Sequence, residues 1–345
     1  MNVLLISTYD LGHQPFGLAS PAAWLEDAGA EVACLDLAVE RIDEAAVKAA
    51  GLIAFHIPMH TATRLAMEMV PKIRTINPTA TLCFYGLYAP LNEAVLRELG
   101  ADLILGGEYE DGLTTAYKRL LESGGSIQTE PLISTAKQAF RIPRRKTLPK
   151  LNQYAHLNMG NGETRTAGYT EASRGCKHFC RHCPVVPVYE GKFRIVAKDV
   201  VMADVRAQVE AGAQHITLGD PDFFNGPGHA LPLIEQFHTQ FPNITYDATI
   251  KVEHLLKYAS HMETLVRTGC LFVTTAVESV DDQILDLLNK GHTRDEFVRV
   301  TKLARDAGLV LSPTFVPFLP WTTVDGYVDL LALLAELDLI GYVAP

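Results

Sequence analysis

Residues 173–184 read Ser-Arg-Gly-Cys-Lys-His-Phe-Cys-Arg-His-Cys-Pro, and they hold three of the six cysteines in the chain. The three, Cys176, Cys180 and Cys183, follow the spacing Cys-x3-Cys-x2-Cys. This spacing brings three thiolates around one point on a tight loop, and thiolates are soft ligands that suit iron–sulfur clusters, zinc or copper(I). A four-iron cluster held by three cysteines leaves one iron open to a substrate or cofactor. The stretch therefore predicts a metal centre.

Zinc is the alternative metal for this loop. Structural zinc usually takes four protein ligands, often from two closely spaced cysteine pairs. The other cysteines, Cys34, Cys83 and Cys270, stand alone in the sequence and provide no second pair. A neighbouring histidine, His178 or His182, could complete a zinc site. The spacing favours an iron–sulfur cluster, and a zinc-stabilised scaffold without turnover stays open as another interpretation.

Residues 1–125 alternate short apolar runs with helical segments. The apolar runs suit buried parallel strands and occupy residues 3–7, 31–36, 52–56, 81–85 and 102–105. Strict strand–helix alternation with short connections predicts a Rossmann-like, doubly wound parallel sheet with helices on both faces. Residues 126–163 carry three prolines and a basic run, and they are predicted to form a linker and a small cap.

Residues 164–345 continue the alternation on either side of the cysteine loop. Predicted strands occupy residues 167–173, 215–218, 245–250, 271–276 and 309–315, and helical segments lie between and after them. This repeat predicts a partial (βα)6 TIM-like barrel, with its active site at the carboxyl ends of the strands. A sixth strand would begin near Tyr342, so we expect the barrel to be cut short before its sixth strand.

The composition narrows the class of protein. Hydrophobic residues make up 48% and charged residues 20%, as in an ordinary soluble globular protein. With a net charge of −10, the chain as a whole is not expected to attract nucleic-acid phosphates. Apolar runs stay shorter than the roughly 18 residues of a membrane span, and the N-terminus reads as a buried strand. Because three of the cysteines share one loop, we expect a reducing, cytoplasmic location. From the net charge and the short apolar runs we expect no nucleic-acid or membrane partner.

The cysteine loop resembles the signature of radical S-adenosylmethionine (SAM) enzymes, with Ser-Arg-Gly before the first cysteine, His182 before the last and Pro184 after it. More narrowly, the chain is similar to bacterial radical SAM proteins named for a C-terminal Cys-Cys-Ala-Glu-Pro or selenocysteine-containing tail (CCAEP or CUAEP). The narrower match rests on residues 168–176, 219–226 and 290–293. A related branch makes the arsenical antibiotic arsinothricin. The 345 residues do not contain the tail that names the family.

The resemblance implies a [4Fe-4S] cluster on Cys176, Cys180 and Cys183, which would be both catalytic and metal-binding residues, with SAM at the open iron. It also implies that groups after the barrel strands hold SAM. The candidates are His182, Gly219, Asp220, Asp222, Lys251, Glu278 and Ser279. Glycine allows close backbone approach, and carboxylates accept hydrogen bonds from the SAM amine. For the charged candidates, a helix cap or a buried ion pair is the ordinary alternative.

The N-terminal half is similar to the cobalamin-binding domain that precedes many radical SAM barrels. In that family a histidine of an Asp-x-His-x-x-Gly loop can ligate cobalt. Here the loop reads Asp10-Leu-Gly-His13-Gln-Pro-Phe-Gly17, with one more residue on each side of the histidine. Two interpretations stay open, a cobalamin-binding domain and a docking domain that keeps the fold without the cofactor.

The function implied by the resemblance is reductive cleavage of SAM, with a small-molecule substrate and a one-electron reductant such as flavodoxin or ferredoxin. Most family members release a 5′-deoxyadenosyl radical. The arsinothricin branch is instead associated with transfer of a 3-amino-3-carboxypropyl group to trivalent arsenic. The alternatives are a cobalamin-dependent radical SAM methyltransferase and a corrinoid-binding protein with a structural cluster.

Overall fold

The computed structural model describes residues 1–122, 132–160 and 162–342, which divide into two compact units. Within the described residues, the first unit comprises Met1–Tyr169, Pro187–Tyr189 and Asp199–Ala213. The second unit comprises Thr170–Val186, Glu190–Lys198 and Gln214–Pro345.

The first unit contains a sheet of six parallel strands in the order β2-β1-β3-β4-β5-β6. The strands are β1 (Asn2–Ser7), β2 (Glu31–Asp36), β3 (Ala50–His56), β4 (Thr81–Tyr85), β5 (Leu103–Gly107) and β6 (Ile133–Ser134). The helices are α1 (Phe16–Asp27), α2 (Glu44–Ala49), α3 (His60–Ile76), α4 (Glu93–Glu98) and α5 (Tyr109–Glu122). This is the predicted strand–helix alternation, with α2 as a short helix that the sequence analysis did not identify.

Helices cover both faces of this sheet. Successive residues of a strand point to opposite faces, so Leu5 and Ile6 of β1 belong to different cores. Leu5 shares its core with Leu18 of α1 and Leu113 of α5. Ile6 shares the other core with Val70 of α3. The doubly wound arrangement is therefore confirmed.

Strand β6 comes from the stretch that the sequence predicted as a linker. Its two residues pair in parallel with Gly106 and Gly107 at the end of β5. A strand of two residues shows no periodicity, so no pattern in the sequence could reveal it. Other parts of the predicted linker, residues 126–131 and 161, lie outside the described residues.

The second unit contains a curled half-barrel sheet whose parallel strands follow the order β14-β13-β12-β11. From β6 onward the chain forms β7 (His156–Asn158), β8 (Thr164–Thr170), β9 (Ser173–Gly175), α6 (Val186–Tyr189), β10 (Phe193–Ile195), α7 (Lys198–Glu210), β11 (His215–Leu218), α8 (Pro227–Gln240), β12 (Thr245–Thr249), α9 (Val252–Lys257), α10 (Met262–Arg267), β13 (Cys270–Glu278), α11 (Asp282–Leu288), α12 (Arg294–Asp306), β14 (Leu311–Phe315) and α13 (Val324–Glu336). The half-barrel confirms the predicted partial TIM-like barrel. Two short helices, α9 and α10, lie between β12 and β13.

The strand predicted over residues 167–173 ends earlier than expected. Thr170 accepts a hydrogen bond from Gly219 N (2.8 Å), and then the chain leaves the barrel sheet. Residues Ser173–Gly175 form β9, which pairs in antiparallel fashion with β10. Buried Asp220 explains this change of direction, because it accepts from Ala172 N (3.0 Å) and from the Ser173 hydroxyl. The cysteine loop therefore begins directly after a short strand, β9, whose first residues are held by Asp220.

Residues Ile340–Tyr342 form a 3₁₀ turn at the place where a sixth strand was expected to begin, and residues 343–345 lie outside the described part of the chain. Among the helices of residues 1–122, 132–160 and 162–342, none has both the length and the apolar character that crossing a bilayer requires.

Candidate active site

The cysteine loop is fixed to α11 by hydrogen bonds from its backbone and side chains. Arg181 N donates to Leu288 O (2.9 Å), and the Asn289 side-chain amide donates to Phe179 O (3.0 Å). Asn289 adopts a left-handed conformation (φ 53°) directly after α11, which an asparagine accepts more readily than most residues. The loop thus has a defined backbone before any cofactor is considered.

The three cysteines of this loop are free thiols that lie near one another. Cys176 and Cys180 are buried and Cys183 is half-buried. Burial raises the pKa of Cys183, and the nearby Cys180 and Cys176 raise it further. Burial likewise raises the pKa of Cys176. Because burial disfavours the thiolates of Cys176 and Cys183, a bound cation would be needed to ionise them, and the three sulfur donors fit an iron–sulfur cluster.

Two buried lysines stand beside these thiols. Lys251, just before α9, places its Nζ 3.8 Å from Cys180 Sγ and 3.7 Å from a Glu253 carboxylate oxygen. The positive charge of Lys290 lowers the pKa of Cys183, although burial outweighs it. Both lysines therefore bring positive charge to the place where thiolates, and any carboxylate of a bound ligand, would carry negative charge.

Glu278 connects the cysteine loop to the end of β13. His182 Nε2 lies 3.1 Å and Lys290 Nζ 3.3 Å from the same Glu278 oxygen. Burial raises the pKa of Glu278, but the hydrogen bond from His182 and the charge of Lys290 outweigh burial and leave the pKa lowered. Its backbone has φ 69°, a left-handed conformation that costs energy for a residue other than glycine. The carboxylate is therefore held ionised at the carboxyl end of a barrel strand.

The predicted candidates after β11 have different surroundings. Gly219 follows β11 directly and donates from its backbone N to Thr170 O. Both side-chain oxygens of Asp220 accept hydrogen bonds, one from Ala172 N and one from the Ser173 hydroxyl. Burial raises the pKa of Asp220 to about 7. Asp222 is fully buried, and its Oδ2 has no hydrogen-bond partner within the described part of the chain. Of the two aspartates, Asp222 is therefore the one with an oxygen that accepts no hydrogen bond in the described part of the chain.

Asp222 also gathers two histidines that the sequence analysis did not connect with it. Its Oδ2 lies 2.7 Å from His254 Nδ1 and 3.6 Å from His178 Nε2, but none of these atoms completes a hydrogen bond among the residues described. Burial, followed by the charge of Lys251, lowers the pKa of His178 to about 4. Ligand atoms of Cys176, His178 and Asp222 lie within 4.8 Å of one another.

Ser279 and His292 complete the surroundings of the site. Ser279 accepts from Asp281 N (3.1 Å), which is a turn contact. His292 is 6% exposed, the Val277 backbone lies within hydrogen-bond reach of its ring, and at least one ring nitrogen lacks a partner in residues 1–122, 132–160 and 162–342. Burial and the charges of Lys290 and Lys251 lower its pKa to about 4. The Lys-Gly-His-Thr stretch was noted in the sequence, but nothing there indicated a buried neutral imidazole.

Asn225 is another site residue that the sequence did not reveal. Its side-chain oxygen accepts from Lys177 N (3.2 Å) and lies 3.9 Å from Cys176 Sγ. Lys177 Nζ donates to the backbone carbonyl oxygen of Asn225 (2.6 Å). Asn225 therefore fixes the first half of the cysteine loop.

The first unit has its own strand-end site, where cobalamin would be expected. The His56 ring lies directly against Gly17, since a Cβ added to Gly17 would come within 2.1 Å of it. The ring also packs on Tyr85 (5.3 Å between centroids) and Tyr109 (6.0 Å). Tyr85 donates its hydroxyl proton to Gly17 O (2.7 Å). Ligands of doubly wound sheets bind at this edge, and the His56 ring occupies part of it.

Comparisons with known proteins agree with this arrangement. Residues 170–334 match the family model described as the Radical SAM superfamily. The matched residues form a radical SAM domain, which implies a [4Fe-4S] cluster and SAM. The cysteine loop and the half-barrel both lie in the matched residues.

Several curated relatives are methylthiotransferases. A tRNA-2-methylthio-N(6)-dimethylallyladenosine synthase of Desulfosudis oleivorans is 22% identical over 59% of this chain and 45% of its own length. A putative methylthiotransferase of Methanocaldococcus jannaschii is 25% identical over 84% of this chain and 66% of its own length. The chain thus spans about half to two thirds of these two relatives.

Solved structures share the fold over nearly the whole chain. The radical SAM methyltransferase TsrM from Kitasatospora setae, with cobalamin and a [4Fe-4S] cluster bound, gives a TM-score of 0.80 at 16% identity, covering 98% of this chain and 74% of that one. The cobalamin-dependent SAM radical enzyme OxsB, with aqua-cobalamin and SAM bound, gives 0.76 at 16% identity, covering 96% and 51%. These likenesses confirm a cobalamin-binding-like fold before the radical SAM domain.

Proposed function

We propose that this protein is a radical SAM enzyme that holds a [4Fe-4S] cluster on Cys176, Cys180 and Cys183 and cleaves SAM reductively. The observation that carries the proposal is the group of three free thiols beside two buried lysines at the mouth of a half-barrel. When bound, the cluster supplies one electron to the SAM sulfonium, so that a carbon–sulfur bond breaks.

The chain's own residues support binding and orientation. Lys251 and Lys290 offset the negative charge of thiolates and of a ligand carboxylate. Glu278 and Asp222 offer carboxylate oxygens to an ammonium or a ribose hydroxyl, and His182 holds Glu278 in place. Burial of the lysines and of Glu278 excludes water from these contacts, which strengthens them.

Anaerobic reconstitution tests the metal assignment. We expect roughly four irons per chain in the natural sequence, and loss of the cluster spectrum in Cys180→Ala. Cys83→Ala is the matched control, because Cys83 is a buried cysteine outside the loop. Zinc without iron in the natural protein would contradict the proposal.

The particular reaction is identified by the products that the enzyme forms from SAM with dithionite as reductant, detected by mass spectrometry. We propose transfer of the 3-amino-3-carboxypropyl group to a thiophilic acceptor such as trivalent arsenic. Support comes from the resemblance of residues 168–176, 219–226 and 290–293 to the CCAEP or CUAEP radical SAM proteins, to which the arsinothricin branch is related. That reaction leaves 5′-methylthioadenosine. 5′-Deoxyadenosine would instead indicate hydrogen abstraction from a carbon-centred substrate.

A second candidate is a cobalamin-dependent methyltransferase, because the folds of TsrM and OxsB cover nearly the whole chain. It predicts S-adenosylhomocysteine and a methylated product that form only when cobalamin is supplied. The same assay with and without hydroxocobalamin distinguishes the two candidates.

A further inference from the structure

Three polar atoms converge on one point beside the cysteine loop. Asp222 Oδ2 lies 2.7 Å from His254 Nδ1 and 3.6 Å from His178 Nε2. Asp222 is fully buried and His254 is 8% exposed, yet none of the three atoms has a hydrogen-bond partner within the described part of the chain. Buried polar atoms without partners are costly and rare. Three of them at one point indicate that the chain binds a further group there.

Backbone groups orient the Asp222 carboxylate toward the two histidines. Its other oxygen, Oδ1, accepts from Phe224 N (3.3 Å) and from Lys251 N (3.4 Å), which leaves Oδ2 facing the imidazoles. The three side chains come from separate elements, namely the loop after β11, the first turn of α9 and the cysteine loop. Their meeting place is therefore built by the fold and not by one local turn.

His178 has the second partner that a metal-ligating histidine usually has. Its Nδ1 lies 3.4 Å from Glu253 Oε2, which Lys251 Nζ also approaches to 3.7 Å. A ligating histidine commonly donates its other ring N–H to a carboxylate, which fixes the tautomer. With the proton on Nδ1, Nε2 presents a lone pair to the point that it shares with Asp222 and His254.

Two imidazole nitrogens and one carboxylate oxygen are a donor set that suits zinc. Two atoms bound to one Zn²⁺, each about 2.0–2.2 Å from the metal, lie roughly 3.0–3.4 Å apart. The separations of 2.7 and 3.6 Å from Asp222 Oδ2 lie on either side of this range. A single proton between Asp222 and His254 would leave the His178 nitrogen unsatisfied, whereas one cation satisfies all three atoms.

We propose that His178, Asp222 and His254 bind one Zn²⁺ ion that is separate from the cluster. Because His178 stands between two cysteines of the loop, the ion would join the cysteine loop to α9 and to the loop after β11. The Asp222 oxygen would then serve the metal, and Glu278 would remain as the carboxylate for SAM. The site needs no cluster in order to form.

The fourth ligand of the zinc depends on whether the cluster is present. Ligand atoms of Cys176, His178 and Asp222 lie within 4.8 Å of one another. Without a cluster, the Cys176 thiolate can therefore complete the zinc site. With a cluster, that sulfur is an iron ligand and a water takes the open position, as it does in zinc sites with three protein ligands. Asp222 and Glu253 supply two negative charges against the positive charge of Lys251, so the charges also favour a cation.

Zinc binding by a chain that cannot hold the cluster tests the proposal. The triple variant Cys176→Ala/Cys180→Ala/Cys183→Ala removes every thiolate of the loop and leaves the two histidines and the aspartate. After treatment with EDTA, this variant is titrated anaerobically with Zn²⁺ in competition with a chromogenic chelator. We expect it to bind one Zn²⁺ per chain.

Substitutions added to the triple variant identify the ligands. We expect the Kd for Zn²⁺ to rise at least about a hundredfold with His254→Ala or Asp222→Asn, and about tenfold with Glu253→Gln, which removes only the partner of a ligand. His261→Ala, a half-buried histidine in the turn after α9, is the matched control and should leave the Kd unchanged. Circular dichroism checks the folding of each variant. Glu253→Gln stays informative if a buried substitution unfolds the chain, because its side chain is 42% exposed.

The holoenzyme separates this proposal from the cluster assignment. Natural protein reconstituted with iron, sulfide and Zn²⁺ should hold roughly four irons and one zinc, and His254→Ala should keep the irons and lose the zinc. A triple variant that binds no zinc, or an equal Kd in all variants, overturns the zinc site and leaves the cluster assignment intact. Zinc in the triple variant with no iron in the natural protein would support the zinc site and overturn the cluster.

Discussion

Lys251 Nζ lies 3.8 Å from Cys180 Sγ in a buried setting, so a full positive charge stands next to one candidate cluster ligand. Reduction adds one negative charge to a cluster, and a nearby cation stabilises that state. We therefore expect Lys251→Met to shift the midpoint potential to a more negative value. A redox titration followed by electron paramagnetic resonance measures the shift.

The matched control for this prediction is Lys257→Met, an exposed lysine at the end of α9. It should leave the midpoint potential unchanged. Equal iron content in both variants is required for the comparison. A potential that stays the same in Lys251→Met would show that the lysine does not interact with the cluster.

His292 should contact a bound ligand. Its ring is buried and is neutral at pH 7, because burial lowers its pKa to about 4, and at least one ring nitrogen has no hydrogen-bond partner in the described chain. An unsatisfied buried polar group costs about 1–3 kcal/mol, which a ligand bond would recover. We expect His292→Phe to raise the Kd for SAM by roughly tenfold with the cluster content unchanged. Equilibrium dialysis of the anaerobic holoenzyme measures this, and an unchanged Kd would place the ring outside the SAM site.

Asp220 should make stability depend on pH. Burial raises its pKa to about 7 from an ordinary 3.8, so between these values the folded state binds a proton that the unfolded state has lost. Stability therefore falls as pH rises through this window, by up to about 1.4 kcal/mol per pH unit. Asp220→Asn removes the titrating group and should flatten the slope between pH 5.5 and 7. Anaerobic urea unfolding at several pH values gives the two slopes, and parallel slopes would contradict the assignment.

The first unit should bind corrinoid weakly until its strand-end site is opened. The His56 ring lies against Gly17 and Tyr85 at the edge where a ligand of this fold would enter. We expect hydroxocobalamin spectra to change little with the natural protein and clearly with His56→Ala. His60→Ala, an exposed histidine at the start of α3, is the control. Tight binding by the natural protein would mean that His56 moves aside readily.

The sequence predicts the strands well where short apolar runs are bounded by glycine or polar residues. The predicted bounds 31–36, 81–85 and 215–218 agree with β2, β4 and β11. The strand predicted over residues 167–173 was too long because Asp220, far along the chain, turns residues 172–173 out of the sheet. Such a contact leaves no local periodicity, so propensity and pattern cannot detect it.

In the candidate site, too, local features could be predicted from the sequence and contacts between distant residues could not. The spacing of Cys176, Cys180 and Cys183 is local and could be read directly. The partners that surround them come from distant elements. Asn225 and His254 reach the loop only because the half-barrel brings together the ends of separate strands. Side-chain burial decides whether such residues are ionised, and burial is a property of the fold.

The anchoring of the cysteine loop has a consequence for which substitutions the loop tolerates. The backbone before and within it is held by Asp220, Leu288 and Asn289, none of which is a thiol. A substitution of Asp220 or Asn289 would therefore alter the spacing of Cys176, Cys180 and Cys183 while leaving every sulfur in place. The geometry of the three thiols is in this sense inherited from residues that bind no metal.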